Sequence, residues 1–360
     1  MLSVRNIGHY VRGGVSAVAE DNREPVQETV CGQPWNLVKF ASSQRPVLIV
    51  VVDTEEEFDW SAGHSRNATS VTAMAEIIRF QRVCDEFEIC PTYVVDYPVA
   101  SQADGVAPLK EFYHSGRAEI GAHLHPWVSP PFDEHLTAYN SYPGNLPPEI
   151  EAAKLRTLSE VTALAFGTRP VIYKAGRYGI GPNTSEILLE QGYEIDLSAA
   201  PPMDYRSDGG PDFSTHPAEP YWIGAGGRLL GIPSAGAFVG LIQNGAHHYY
   251  RFATSPILNR VHMPGILSRL GLLERLRLSP EGYSLDDNRR LTRALYRRGK
   301  RVFTYSLHSP SMKPGCTPYV ASELERDRLL VQCRQFFDWF LHELGGISMT
   351  PLELKRSIQG

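Results

Sequence analysis

Cysteine is scarce in this chain, with five residues in 360, at Cys31, Cys84, Cys90, Cys316 and Cys333, and no C-x-x-C pair. So odd and dispersed a set argues against a disulfide framework and against thiolate metal sites, and it suits small buried hydrophobes in a reducing compartment. Basic charge is also short. The formal net charge of -5 argues against a general nucleic-acid binder, which needs a basic surface. No stretch approaches the roughly 20 apolar residues that span a bilayer, so no stable membrane insertion is expected. The first 22 residues show no long apolar run after their first charge and do not read as a secretory signal, which makes the cytoplasm the expected location.

What the chain does have is a 42% hydrophobic composition, enough for a substantial core, and a length that suits one large α/β domain or two smaller ones. Residues 1 to 45 mix glycine, proline and charge without periodicity and read as an N-terminal extension. From Pro46 onward, apolar β-branched runs alternate with helical patterns. VLIVVVD, PTYVVD, AEIGAHLH, PVIYKAG, YEIDLS, RLLGIPSA and RVFTYSLH read as strands. That alternation implies parallel strands with right-handed crossovers, and a barrel-like α/β fold is preferred over an open sheet. Residues about 255 to 300 interrupt the rhythm as a helical insertion. It is rich in arginine between Arg289 and Lys300, which suits a solvated helix face or a patch for an anionic substrate.

In parallel α/β folds, sites form at the carboxyl ends of the strands. Here those ends carry Asp53 and Glu55, His123 and His125, the KAGRYG segment from Lys174 to Gly179, Asp196, and His308. Asp53 and Glu55 stand two apart on an extended chain and point to one side, as do His123 and His125. Two imidazoles with a carboxylate form a divalent-metal set, and the remaining carboxylate and the distant histidine then suit a base and an acid. Glu56, Glu57 and Asp59 read as solvated or helix-start charges. His135 is a reserve imidazole, and His247 and His248 are weaker candidates. Trp127, Phe132, Tyr139 and Tyr142, in the proline-rich loop, offer aromatic faces that suit a sugar ring or loop packing.

Five segments in order, VVDTEEEF, EIGAHLHPW, YKAGRYGIGP, GYEIDLSAAP and FTYSLHSP, resemble the polysaccharide deacetylase family, the NodB-homology or carbohydrate esterase family 4 group, over roughly Pro46 to Pro351. EIGAHLHPW and the closing LHSPSMKPG are similar to a cytoplasmic-type branch linked to surface-polysaccharide clusters. The resemblance implies a distorted (β/α)7-like barrel over residues 46 to 360, carrying the helical insertion, and removal of acetyl groups from an N-acetylated amino sugar or glycan. It implies Asp53 as catalytic base, with Glu55 and His123 as ligands of a divalent ion, Zn²⁺ foremost. The family's second histidine comes four residues after the first. Trp127 stands there, so His125 is the substitute. Lys174 or Arg177 would orient the base, Tyr178 would offer a backbone N–H to the oxyanion, Asp196 would be the supporting acid, and His308 the general acid. Two alternatives stand beside this: a hydrolase of another non-peptide C–N bond, such as a formamide, and an inactive carbohydrate-binding relative.

Overall fold

The eight residues VLIVVVDT build the central strand, β2 (Val47–Thr54), buried along its whole length. The computed structural model describes residues 35–224, 226–242, 249–250, 252 and 263–359. The other strands are β1 (Asn36–Leu37), β3 (Thr92–Val95), β4 (Glu119–Leu124), β5 (Ile172–Ala175), β6 (Ile195–Asp196), β7 (Tyr221–Ile223), β8 (Leu229–Gly231), β9 (Gly236–Val239), β10 (Glu274–Arg277), β11 (Val302–His308) and β12 (Ile347–Ser348). The strands β8, β6, β5, β4, β3, β2 and β11 lie side by side in that order, seven in all, and each neighbouring pair is parallel. β1 and β7 extend the β8 edge as antiparallel strands.

The interior of this array is a ring of strand residues. Val47, Ile49 and Val51 of β2 cluster with Val94, Ile172, Ile195, Leu230 and Val302, one from each of five other strands. The alternate residues Leu48, Val50 and Val52 face outward, where they pack in one cluster with helix residues such as Phe80, Phe336 and Phe337. A strand apolar at every position is thereby explained, because both its faces are covered. No ladder joins β8 to β11 among the described residues, yet the two edges meet. Thr304 Oγ1 donates to the Pro233 carbonyl at 3.1 Å, Ser306 N to the Leu278 carbonyl at 3.3 Å, and Leu278 N to the Ala235 carbonyl at 2.8 Å. The hairpin of β9 and β10 thus closes the gap, giving a mixed α/β fold of seven parallel strands in the distorted-barrel arrangement expected.

Helices cover the outside: α1 (Ile78–Asp85), α2 (Tyr97–Ser101), α3 (Ala103–His114), α4 (Pro148–Phe166), α5 (Thr184–Glu190), α6 (Met263–Arg269), α7 (Leu285–Arg297), α8 (Glu323–Asp338) and α9 (Pro351–Gln359). Ser284 and Asp287 form a reciprocal cap at the start of α7, as Ser322 and Glu325 do for α8. The region of the expected helical insertion contains α6 and α7 with the strand β10 between them; its residues 255–262, like residues 1–34 of the N-terminal extension and His247 and His248, lie outside the described residues. The arginines of α7 do not gather into one patch. Arg290 pairs with Glu274 and Asp287, Arg289 and Arg293 lie over the Trp339 ring, and the buried Lys300 donates to the Ala218 carbonyl.

Candidate active site

Strand parity and register place six side chains on the interior face at one end of the array. Asp53 continues the Val47, Ile49, Val51 row, and Glu55 follows it. Ile172 faces inward, so Lys174 does too; β4 pairs His123 with Lys174, which sets His123 inward and His125 after it. Val302 faces inward, so His308, six residues on, does as well. These residues line one cavity of about 350 Å³. Asp196 falls on the other parity. Ile195 takes the interior position, and Asp196 pairs in register with the outward Tyr173. Its carboxylate accepts from Ser198 N at 2.9 Å, and Ser198 Oγ accepts from Ala175 N at 2.8 Å. Burial raises the Asp196 carboxyl to about 6. Asp196, expected as a supporting acid, therefore stands outside the cleft, where it holds Ser198, whose hydroxyl accepts from the backbone beside Lys174.

Lys174 Nζ donates to both oxygens of Asp53, at 2.6 and 2.7 Å. Burial works against the Asp53 charge, but Lys174, then His123 and His308, outweigh it and hold the carboxyl at about 2. Arg177, the other cation considered for this place, reaches elsewhere. It pairs with Asp208, donates to Ser141 Oγ and lies over the Tyr142 ring at 4.0 Å. Arg177 and Tyr178 both take positive φ, +55° and +58°, in the turn after β5, and Gly176 before them touches His125 so closely that a Cβ there would sit 2.4 Å from its ring.

The imidazoles are held in one tautomer each. His123 Nδ1 lies 2.9 Å from the Lys174 carbonyl, which only accepts, so Nδ1 carries the proton and Nε2 a lone pair. His125 Nδ1 likewise faces Glu56 Oε2 at 2.8 Å. Both Nε2 atoms converge on Glu55 Oε2, at 3.5 and 3.4 Å, and Glu55 Oε1 is buried with no hydrogen-bond partner among the described residues. Three acceptors with no donor between them repel one another unless a proton or a cation joins them. Burial, reinforced by Glu56 and Asp53, pushes the Glu55 carboxyl well up; burial holds His123 well below its ordinary value and His125 at about 4. Neutral imidazoles and a crowded carboxylate, with ligand atoms all within 4.8 Å of one another, fit a divalent cation. His135 stays exposed on its loop, away from this cluster.

Several partners were not legible beforehand. Glu56, expected in solvent, is fully buried; it binds His125 Nδ1 and accepts from Trp127 Nε1 at 2.6 Å. Asp96 accepts from Glu56 N at 2.7 Å while capping α2. Trp127 also stacks on His125, with ring centroids 4.2 Å apart, so the residue in the usual histidine place braces the substitute. Glu57 accepts from Ser70 and from Thr72 and Ala73 at the start of a short helical turn, while Asp59 holds its own local turn by accepting from Ser61. Glu281 Oε2 accepts from His308 Nδ1 at 2.7 Å, and its Oε1 from His308 N at 3.0 Å. Burial alone would lower the His308 value, but Glu281 and then Asp53 carry it above the ordinary imidazole range. Of the loop aromatics, Trp127 and Tyr142 line the cavity, whereas Phe132 and Tyr139 are exposed; Trp60, Tyr205 and Tyr319 supply further walls.

No family model matches the chain, and no curated protein matches it. Among solved structures it is similar to a candidate polysaccharide deacetylase from Mycobacterium smegmatis (16% identity, 91% of this chain and 93% of that one, TM-score 0.49) and an allantoinase (16%, 92% and 97%, 0.49). It is also similar to a GH57 branching enzyme from Thermococcus kodakaraensis (10%, 88% and 72%, 0.48). These names differ in chemistry, so the choice of reaction rests on the cleft itself.

Proposed function

We propose that this chain is a metal-dependent hydrolase that removes an N-acetyl group from an amino sugar in a cytoplasmic saccharide or glycan precursor, with residues 46–360 as its catalytic domain. The carrying observation is the placement of a lysine-held carboxylate, Asp53, and a glutamate-held imidazole, His308, beside three converging acceptors, with His308 Nε2 3.8 Å from Asp53 Oδ2. The five segments that resemble polysaccharide deacetylases supply these same residues and favour an acetamido substrate.

Glu55, His123 and His125 would hold the ion, Zn²⁺ by donor type, and it would polarise the acyl carbonyl and acidify the attacking water. Asp53, its charge favoured by Lys174, accepts one proton of that water as its oxygen bonds to the carbonyl carbon. Lys174 keeps Asp53 aimed and charged. The Tyr178 backbone N–H, in the turn beside Lys174, is the chain's own donor to the oxyanion. His308 gives its Nε2 proton to the nitrogen as the C–N bond breaks, because an amide anion is too basic to leave. Glu281 steadies the imidazolium until that moment. The products are acetate and a free amino sugar.

The test is acetate release from N-acetylglucosamine-containing substrates before and after chelation, with metal content measured on the same samples. Activity lost with the ion and restored by Zn²⁺ is the expected result; unchanged activity after verified metal loss would refute the reading.

A further inference from the structure

Arg277 stands in a different situation from the other cleft cations. Strand β10 alternates: Leu276 is buried in the core, while Arg275 and Arg277 share the opposite side. The Arg275 guanidinium lies 4.8 Å over the Tyr250 ring and that of Arg277 4.7 Å over the Tyr178 ring. The Tyr178 hydroxyl accepts from Arg277. Lys174 has Asp53 and Arg177 has Asp208, but Arg277 forms no ion pair with a carboxylate among the described residues.

Arg277 also occupies a junction. With His308 and Tyr319 it lines both the 350 Å³ cleft and an adjoining cavity of about 230 Å³ floored by Ser279, Gly282 and Tyr283. The adjoining cavity therefore opens on the side of His308, where the amine departs. A half-buried guanidinium, held by the ring and hydroxyl of Tyr178, which leave its charge uncancelled, fits a bidentate oxyanion. The one carboxylate on this wall, Glu281, is spent on His308 and Ser311.

We infer that the cavity beside His308 is an anion subsite in which Arg277 binds an oxyanion, phosphate ester or carboxylate, on the amino sugar being deacetylated. The inference rests on the deacetylase reading and narrows its substrate class to acidic amino sugars.

Two experiments test it. First, kcat/KM is compared for N-acetylglucosamine, its 1-phosphate, its 6-phosphate and an N-acetylated aminouronic acid, with wild type, Arg277→Gln and Arg277→Lys. The best anionic sugar should lead the neutral one in wild type, and Arg277→Gln should cut that ratio about 10- to 100-fold, with partial recovery in Arg277→Lys. Which anionic sugar leads tells phosphate from carboxylate. Second, binding of inorganic phosphate is measured by calorimetry on wild type and Arg277→Gln, each shown folded by its melting curve. Weaker binding in the variant supports the subsite even if no sugar is deacetylated, in which case only the reaction is wrong. An unchanged selectivity ratio in an active enzyme, or equal phosphate binding by both proteins, overturns the subsite.

Discussion

Lys174 grips Asp53 by both carboxylate oxygens across 121 residues of sequence, and in doing so holds the carboxyl at about 2 in a setting whose burial alone would raise it. Replacing Lys174 with methionine removes the largest of the groups that oppose burial. The Asp53 value should rise, so the acid limb of the kcat–pH profile should move to higher pH, and kcat at neutral pH should fall about 10-fold or more. An unmoved acid limb would show that Lys174 does not set this charge. The wild-type pair contributes stability above the unfolded carboxyl value, near 4, and loses it only as pH falls through about 2.

Asp53→Asn keeps the shape and removes the proton acceptor. Its kcat should fall about 100-fold or more while metal content stays at the wild-type level. A near-wild-type rate would take Asp53 out of the base role.

Glu281→Gln tests the other half. Glu281 holds His308 above the ordinary imidazole range, and a raised imidazole stays protonated until pH climbs through its value. Activity that needs His308 as an acid is therefore present below that value and lost above it. The glutamine variant should bring the alkaline limb to lower pH, and His308→Ala should lower kcat about 100-fold. An alkaline limb that stays in place in Glu281→Gln would reduce Glu281 to a structural role.

Trp127→Phe keeps an aromatic ring against His125 but deletes the N–H that Glu56 accepts. Metal affinity, read by competition with a chelating dye, should weaken about 10- to 100-fold, as loss of a supporting hydrogen bond commonly does. His123→Ala should abolish stoichiometric binding, and His135→Ala should leave it at wild type.

The sequence alone was sufficient for whatever depends on local periodicity. The unbroken apolar run at Val47–Val52 announced a strand covered on both faces, and period-two spacing put Asp53 beside Glu55 and His123 beside His125, with no distant information required. Tertiary structure decided which side of the sheet each strand's last residue faced, and this removed Asp196 from the cleft although it ends a strand as Lys174 nearly does. It also decided the fate of three consecutive glutamates. Glu55, Glu56 and Glu57 are alike in composition, and only groups brought from 40 to 71 residues away, Asp96, His125 and Trp127, bury Glu56 behind the imidazole. Glu281 was invisible for the same reason. A lone acid in a loop has no pattern, and its meaning comes from His308, which chain folding sets 2.7 Å away.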